Sequence, residues 1–110
     1  MAIAEYEEAT LSREEVDALE GPVVIEFGAS WCGICRGFTP KAETAFAPYD
    51  HVRHMRVEDG PGKRLGRSFR VKLWPTFIFM RDGQVIQTSV RPSQREVSEG
   101  LAAIAGNVDG

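Results

Sequence analysis

At 110 residues and a formal net charge of −3, the chain has the size of one domain with a real core, and its mild acidity argues against nucleic acid as a partner. Its apolar fraction of 43% suits a soluble globular protein, and no apolar run approaches the roughly 20 residues that span a bilayer. The start, Met1 to Glu8, is acidic and holds no apolar leader core, which predicts residence in the cytoplasm. There a lone close pair of cysteines points to catalysis or metal binding rather than to a structural disulfide.

Ile3 to Tyr6 reads as a short first strand. Ser12-Arg13-Glu14-Glu15 is a capping box, Val16 and Leu19 follow at helical spacing, and Gly21-Pro22 stops that helix. Val23-Val24-Ile25-Glu26-Phe27 is β-branched and nearly all apolar, which predicts a strand buried on both faces. A helix from Cys32 to Ala47 follows, with Phe38, Ala42, Ala45 and Phe46 on its buried face, a kink at Pro40 and an end at Pro48. His51 to Glu58 is the next strand, and Asp59-Gly60-Pro61-Gly62 a turn. Lys63 to Phe69 is a short helix that buries Leu65 and Phe69. Val71 to Pro75 connects to the strand Thr76-Phe77-Ile78-Phe79-Met80. The turn signal Arg81-Asp82-Gly83-Gln84 leads to an antiparallel partner, Val85 to Val90. That partner reads as an edge, since Gln87 and Ser89 alternate with apolar residues. Ser93-Gln94-Arg95-Glu96 is a second capping box, and Val97, Leu101 and Ile104 stripe the last helix. Asn107 to Gly110 reads as a frayed tail.

The order β-α-β-α-β-α-β-β-α predicts a single α/β domain over 1–110. Its mixed central sheet carries helices on both faces.

Both cysteines lie in Ser30-Trp31-Cys32-Gly33-Ile34-Cys35-Arg36, between the buried strand and the long helix. A sulfur at a helix N-terminus faces unpaired N–H groups and the positive end of the macrodipole, which favour a thiolate. A second sulfur one turn on is close enough to form a disulfide with the first. The rival reading is zinc, with His51 and His54 completing a Cys2His2 set. Only two residues separate the histidines, fewer than the usual three to five, and on a strand they would face opposite sides. They read instead as surface or strand-end residues, and no metal or other cofactor is expected.

The element order resembles the thioredoxin family, as do Trp31-Cys32-Gly33-Ile34-Cys35 after a buried strand and Trp74-Pro75-Thr76 before another. The resemblance covers nearly the whole chain. It implies a thioredoxin fold and dithiol–disulfide exchange, with Cys32 attacking through a mixed disulfide, Cys35 resolving it, and Pro75 as a cis-proline facing the site. Glu26 falls where the family has a buried aspartate. As the one charged residue of the buried strand, its carboxyl is expected to have its pKa raised toward neutrality and to accept the Cys35 proton.

Several residues depart from the family pattern. Gly33-Ile34 replaces Gly-Pro, Glu26 replaces Asp, Trp74 stands where a smaller β-branched residue is usual, and Arg91-Pro92 replaces a small glycine. All four surround the expected substrate groove. Trp31, Gly33, Ile34, Trp74, Pro75 and Arg91 are the candidate substrate-binding residues, with an extended peptide pairing to the Trp74 backbone by strand addition. An apolar partner with a nearby acidic residue is expected to fit. The function read from the sequence is a cytoplasmic, monomeric protein-disulfide reductase that takes electrons from an upstream thiol reductant or reductase. The alternative is a non-catalytic binding module that lends its groove to a partner protein. The direction of exchange is open: a potential near about −270 mV marks a reductase, and one near about −120 mV an oxidant.

Overall fold

The structure, a computed structural model, describes residues 4–106. Its elements are α1 (Arg13–Asp17), β1 (Pro22–Gly28), α2 (Gly33–Phe46), β2 (Arg53–Glu58), α3 (Arg64–Ser68), β3 (Thr76–Arg81), β4 (Gln84–Val90) and α4 (Gln94–Ala105). The sheet order is β2-β1-β3-β4. β1 pairs parallel with β2 and antiparallel with β3, and β3 pairs antiparallel with β4, so the sheet is mixed as predicted.

β1 is central, and every residue from Val23 to Gly28 is buried. Its alternate side chains enter two separate cores. Val24 joins Phe38, Ala42, Phe46, Phe77, Phe79, Val97, Leu101 and Ile104 under α2 and α4. Val23, Ile25 and Phe27 join Val16, Leu65, Ile78 and Met80 on the side of α1 and α3. Burial of this apolar surface on both faces is the main stabilising term of the fold.

Both capping boxes form. Ser12 and Glu15 close the start of α1, and Ser93 and Glu96 the start of α4. Pro40 lies inside α2 without ending it, and a single 3-10 turn, Ala47–Tyr49, holds Pro48. The β3–β4 turn has φ +50° at Asp82 and +80° at Gly83, the left-handed pair that a two-residue hairpin needs.

Three expectations are corrected. Ile3 lies outside the described residues, and Ala4 to Tyr6 form no strand. Instead Glu7 makes one parallel bridge to Val57, with Glu7 N–H donating to the Arg56 carbonyl (3.0 Å) and Glu58 N–H to the Glu7 carbonyl (2.8 Å). β2 begins at Arg53, so His51 precedes the strand. On β4 the edge position holds, but the alternation runs the other way: Val85, Ile86 and Val90 are exposed and Ser89 is buried. The reason is polar satisfaction under α4, where Gln87 Nε2 donates to Ser89 Oγ (2.9 Å) and to the Glu96 carbonyl (3.2 Å). The tail from Asn107 lies outside the described residues.

Candidate active site

The end of β1 delivers the chain to the start of α2 through Ala29 to Trp31. Cys32 is the N-cap of α2, with extended backbone (φ −78°, ψ 115°). Its N–H donates to the Ala29 carbonyl (3.0 Å), and its carbonyl accepts the first helical bond from Arg36 N–H (3.0 Å). Its Sγ takes the place of a capping oxygen, accepting the Cys35 backbone N–H at 3.3 Å. Cys35, one turn on, is fully buried, and both cysteines are free thiols. Burial pushes the Cys35 thiol up, to about 11, and the Cys32 sulfur adds to the rise. The Ala29 backbone and the Tyr6 hydroxyl pull it down.

Around Cys32 the structure brings together most of the expected substrate-binding residues. The Trp74–Pro75 bond is cis. Trp31 is 70% exposed, and its ring meets that of Trp74 edge-on at 5.4 Å. The Trp74 indole Nε1–H donates to Asp59 Oδ2 (2.9 Å) and so is held in place, while Ile34 is exposed at the helix start. Arg91, with φ +46°, clamps the proline loop: its N–H donates to the Pro75 carbonyl (2.8 Å) and its Nε to the Trp74 carbonyl (2.9 Å). Arg91 is therefore tied to this loop rather than free in solvent. Gly33 is exposed in the first turn of α2, and a Cβ there would meet nothing within 4 Å.

Glu26 is 1% exposed, so it faces the core and not solvent. Its expected pKa is corrected. Burial pushes the carboxyl up, but the His54 hydrogen bond, then the Arg56 charge, oppose it, and together they hold it below the usual carboxylate value. His54 Nε2 sits 2.9 Å from Oε1, and Arg56 Nη2 donates to Oε2 at 2.9 Å. A carboxylate held this way is a poor proton acceptor. His54 is corrected too: it is half-buried, stacked on Phe46 at 3.9 Å and bonded to Glu26. Among the described residues no group of three or more His, Cys, Asp or Glu gathers to hold a metal ion.

Four participants escaped the sequence reading. Tyr6 donates its hydroxyl proton to Glu26 Oε2 and packs with Ala29, Cys32 and Cys35. Arg56 lies 4.0 Å over the Tyr6 ring. Gly28 leaves room where a Cβ would lie 2.6 Å from Tyr6 Cζ and 2.8 Å from Cys35 Sγ. Asp59 anchors Trp74. No local signal marks Tyr6, Asp59 or Arg56; Arg56 comes opposite Glu26 only through the parallel pairing of β1 with β2.

A two-cysteine redox site at the first turn of a helix, on a mixed sheet with a cis-proline loop, defines a thiol–disulfide exchange protein. The sequence model of the thioredoxin family matches residues 4–103. A thioredoxin of Aspergillus fumigatus, Asp f 28, is 33% identical over 86 residues, covering 77% of this chain and 80% of that protein. Thioredoxin H5 of Arabidopsis thaliana is 30% identical, covering 78% and 73%. The reduced form of thioredoxin 2 from Pseudomonas aeruginosa superposes with a TM-score of 0.82 at 45% identity, covering 97% of this chain and 98% of that one. The chain belongs to the thioredoxin family. It is a thiol–disulfide oxidoreductase of the protein-disulfide-reducing kind.

Proposed function

We propose that Cys32 is the attacking thiol and Cys35 the resolving one, in the reduction of disulfides in extended, partly apolar protein segments. The carrying observation is the Cys32 sulfur at the N-cap of α2, bonded to the Cys35 N–H, with Cys35 fully buried one turn behind. Helix-end N–H groups favour the anion that exchange requires. Cys32 thiolate strikes one sulfur of the substrate disulfide, forms a mixed disulfide and releases the first substrate thiolate. Cys35 thiolate then strikes the Cys32 sulfur, closing the Cys32–Cys35 disulfide and releasing the second. An upstream thiol reductant returns the pair to the dithiol.

Binding the substrate also primes the second step. The Cys32 sulfur is one of the groups raising the Cys35 pKa, and tying Cys32 into a mixed disulfide removes part of that rise. Glu26 belongs to the Cys35 side of this chemistry, at one remove from the sulfur.

Trp31, Gly33, Ile34, Trp74 and Pro75 form the platform on which the substrate segment lies. An incoming strand pairing with Trp74 must share its carbonyl with Arg91 Nε, which places a positive charge beside the peptide. In this reading the protein acts as a monomer in the cytoplasm. Reduction of insulin by dithiothreitol, followed by turbidity, tests the activity. The protein accelerates precipitation and the Cys32→Ser variant does not; equal rates with wild type, variant and no protein overturn the reading.

A further inference from the structure

The core behind Cys35 holds a cluster of ionisable groups that exchange by two sulfurs alone does not use. Tyr6 approaches from the segment before α1, Glu26 from β1, His54 and Arg56 from β2, and Cys35 with Cys32 from α2. These are the titratable and charged groups, among the described residues, that face the Cys35 sulfur or its neighbours.

Two features bring the Tyr6 phenol to the sulfur. Gly28 has no side chain, and both Tyr6 Cζ and Cys35 Sγ crowd the place a Cβ would occupy, at 2.6 and 2.8 Å. The Arg56 guanidinium lies 4.0 Å over the Tyr6 ring and, through Nη1, donates to the Ala4 carbonyl (2.8 Å), fixing ring and segment together. The hydroxyl bonds to Glu26 Oε2, and the ring that carries it packs with Cys35.

We propose that the Tyr6 hydroxyl is a two-position donor: it bonds to Glu26 while Cys35 is a thiol, and turns about its C–O bond to bond to Cys35 when that sulfur is a thiolate. The inference rests on Cys35 being the resolving thiol. Glu26 permits the turn because it keeps His54 on Oε1 and Arg56 on Oε2, so no buried carboxylate is orphaned. Glu26 stays ionised throughout and takes no proton, in line with the ion pair that holds it. In the resolving step the Cys35–Cys32 sulfur bond forms and the Cys32–substrate sulfur bond breaks. The substrate sulfur leaves with the electron pair, and the proton lost from Cys35 reaches it through solvent. No other oxidant or reductant is needed.

The test is a single-turnover reaction of the reduced protein with a disulfide peptide, quenched with acid and resolved by mass. Formation of the mixed disulfide reports Cys32, and its decay reports Cys35. In Tyr6→Phe, formation is unchanged and decay slows roughly tenfold or more, the worth of one hydrogen bond to a charged sulfur. The pH profile of decay also moves to higher pH, because Cys35 has lost a group that favours its thiolate. Decay unchanged in rate in Tyr6→Phe overturns the proposal, as does a slowing with no rise in the Cys35 pKa, read from ultraviolet thiolate absorbance in the Cys32→Ser background, which a packing defect would give. Absence of any mixed disulfide in the wild type instead removes the Cys32–Cys35 reading beneath it.

Discussion

Neutralising Glu26 leaves the Arg56 guanidinium buried without its counter-ion, and a broken buried pair costs about 3 kcal/mol or more. Glu26→Gln is therefore expected to lower the unfolding free energy by about that much, read from denaturant midpoints at unchanged slope. The sign with pH follows from the lowered carboxyl. A group whose folded pKa is depressed contributes stability above its unfolded pKa and loses it as pH falls through the folded one. Wild type should thus lose stability over acid pH more steeply than Glu26→Gln, and parallel acid limbs would contradict the ion pair. Cys35 has the opposite sign. Its pKa is raised to about 11, so its contribution to the reduced fold is lost as pH rises from the ordinary thiol value toward that one. Mixed-disulfide decay should accelerate about tenfold per pH unit through neutrality, since the thiolate fraction does so well below its pKa. A flat profile would mean that Cys35 is already ionised. At this scale the sequence was legible where chemistry is contiguous: Trp31, Cys32 and Cys35 stand in one motif. Arg56 and His54 meet Glu26 only through the β1–β2 register, Val24 opposite His54 and Glu26 opposite Arg56, and Tyr6 arrives beside the single Glu7–Val57 bridge; no local pattern encodes either pairing. The same meeting reversed the expected direction of the Glu26 pKa.

Elements whose ends are set by local bonds were readable in advance. The capping boxes at Ser12 and Ser93 and the Asp82-Gly83 turn formed where the sequence placed them. Ser93→Ala should cost about 1 kcal/mol of stability, read from denaturant midpoints, as expected of a lost N-cap. Gly100 marks a tighter constraint: a Cβ there would lie 2.7 Å from the Phe79 ring, where α4 rests on β3. Gly100→Ala should destabilise by roughly 1–3 kcal/mol through overpacking, measured by thermal or denaturant unfolding. Elements set by tertiary context were harder to read. The segment around Tyr6 pairs at one bridge instead of forming a strand, and its acidic sequence hides the residue that enters the core. β4 turns Gln87 and Ser89 inward, where Gln87 reaches both Ser89 and the Glu96 carbonyl of α4, which no alternation rule anticipates.

Across the whole molecule the sheet separates two tasks. One core, under α2 and α4, carries the redox helix, and the other, with α1 and α3, braces the back of β1. The proposed substrate platform lies where the start of α2, the cis-proline loop and Arg91 converge, from segments far apart in sequence. Arg91→Glu reverses the charge beside the Trp74 carbonyl and should shift preference from acidic toward basic disulfide peptides; unchanged relative turnover of the two would remove Arg91 from recognition. The division of labour between the sulfurs is tested most directly by trapping. Cys35→Ser, mixed with a disulfide peptide and mapped by mass spectrometry, should accumulate a stable mixed disulfide on Cys32, while Cys32→Ser should accumulate almost none on Cys35. Adduct forming on Cys35 in Cys32→Ser as fast as on Cys32 in Cys35→Ser would contradict the account.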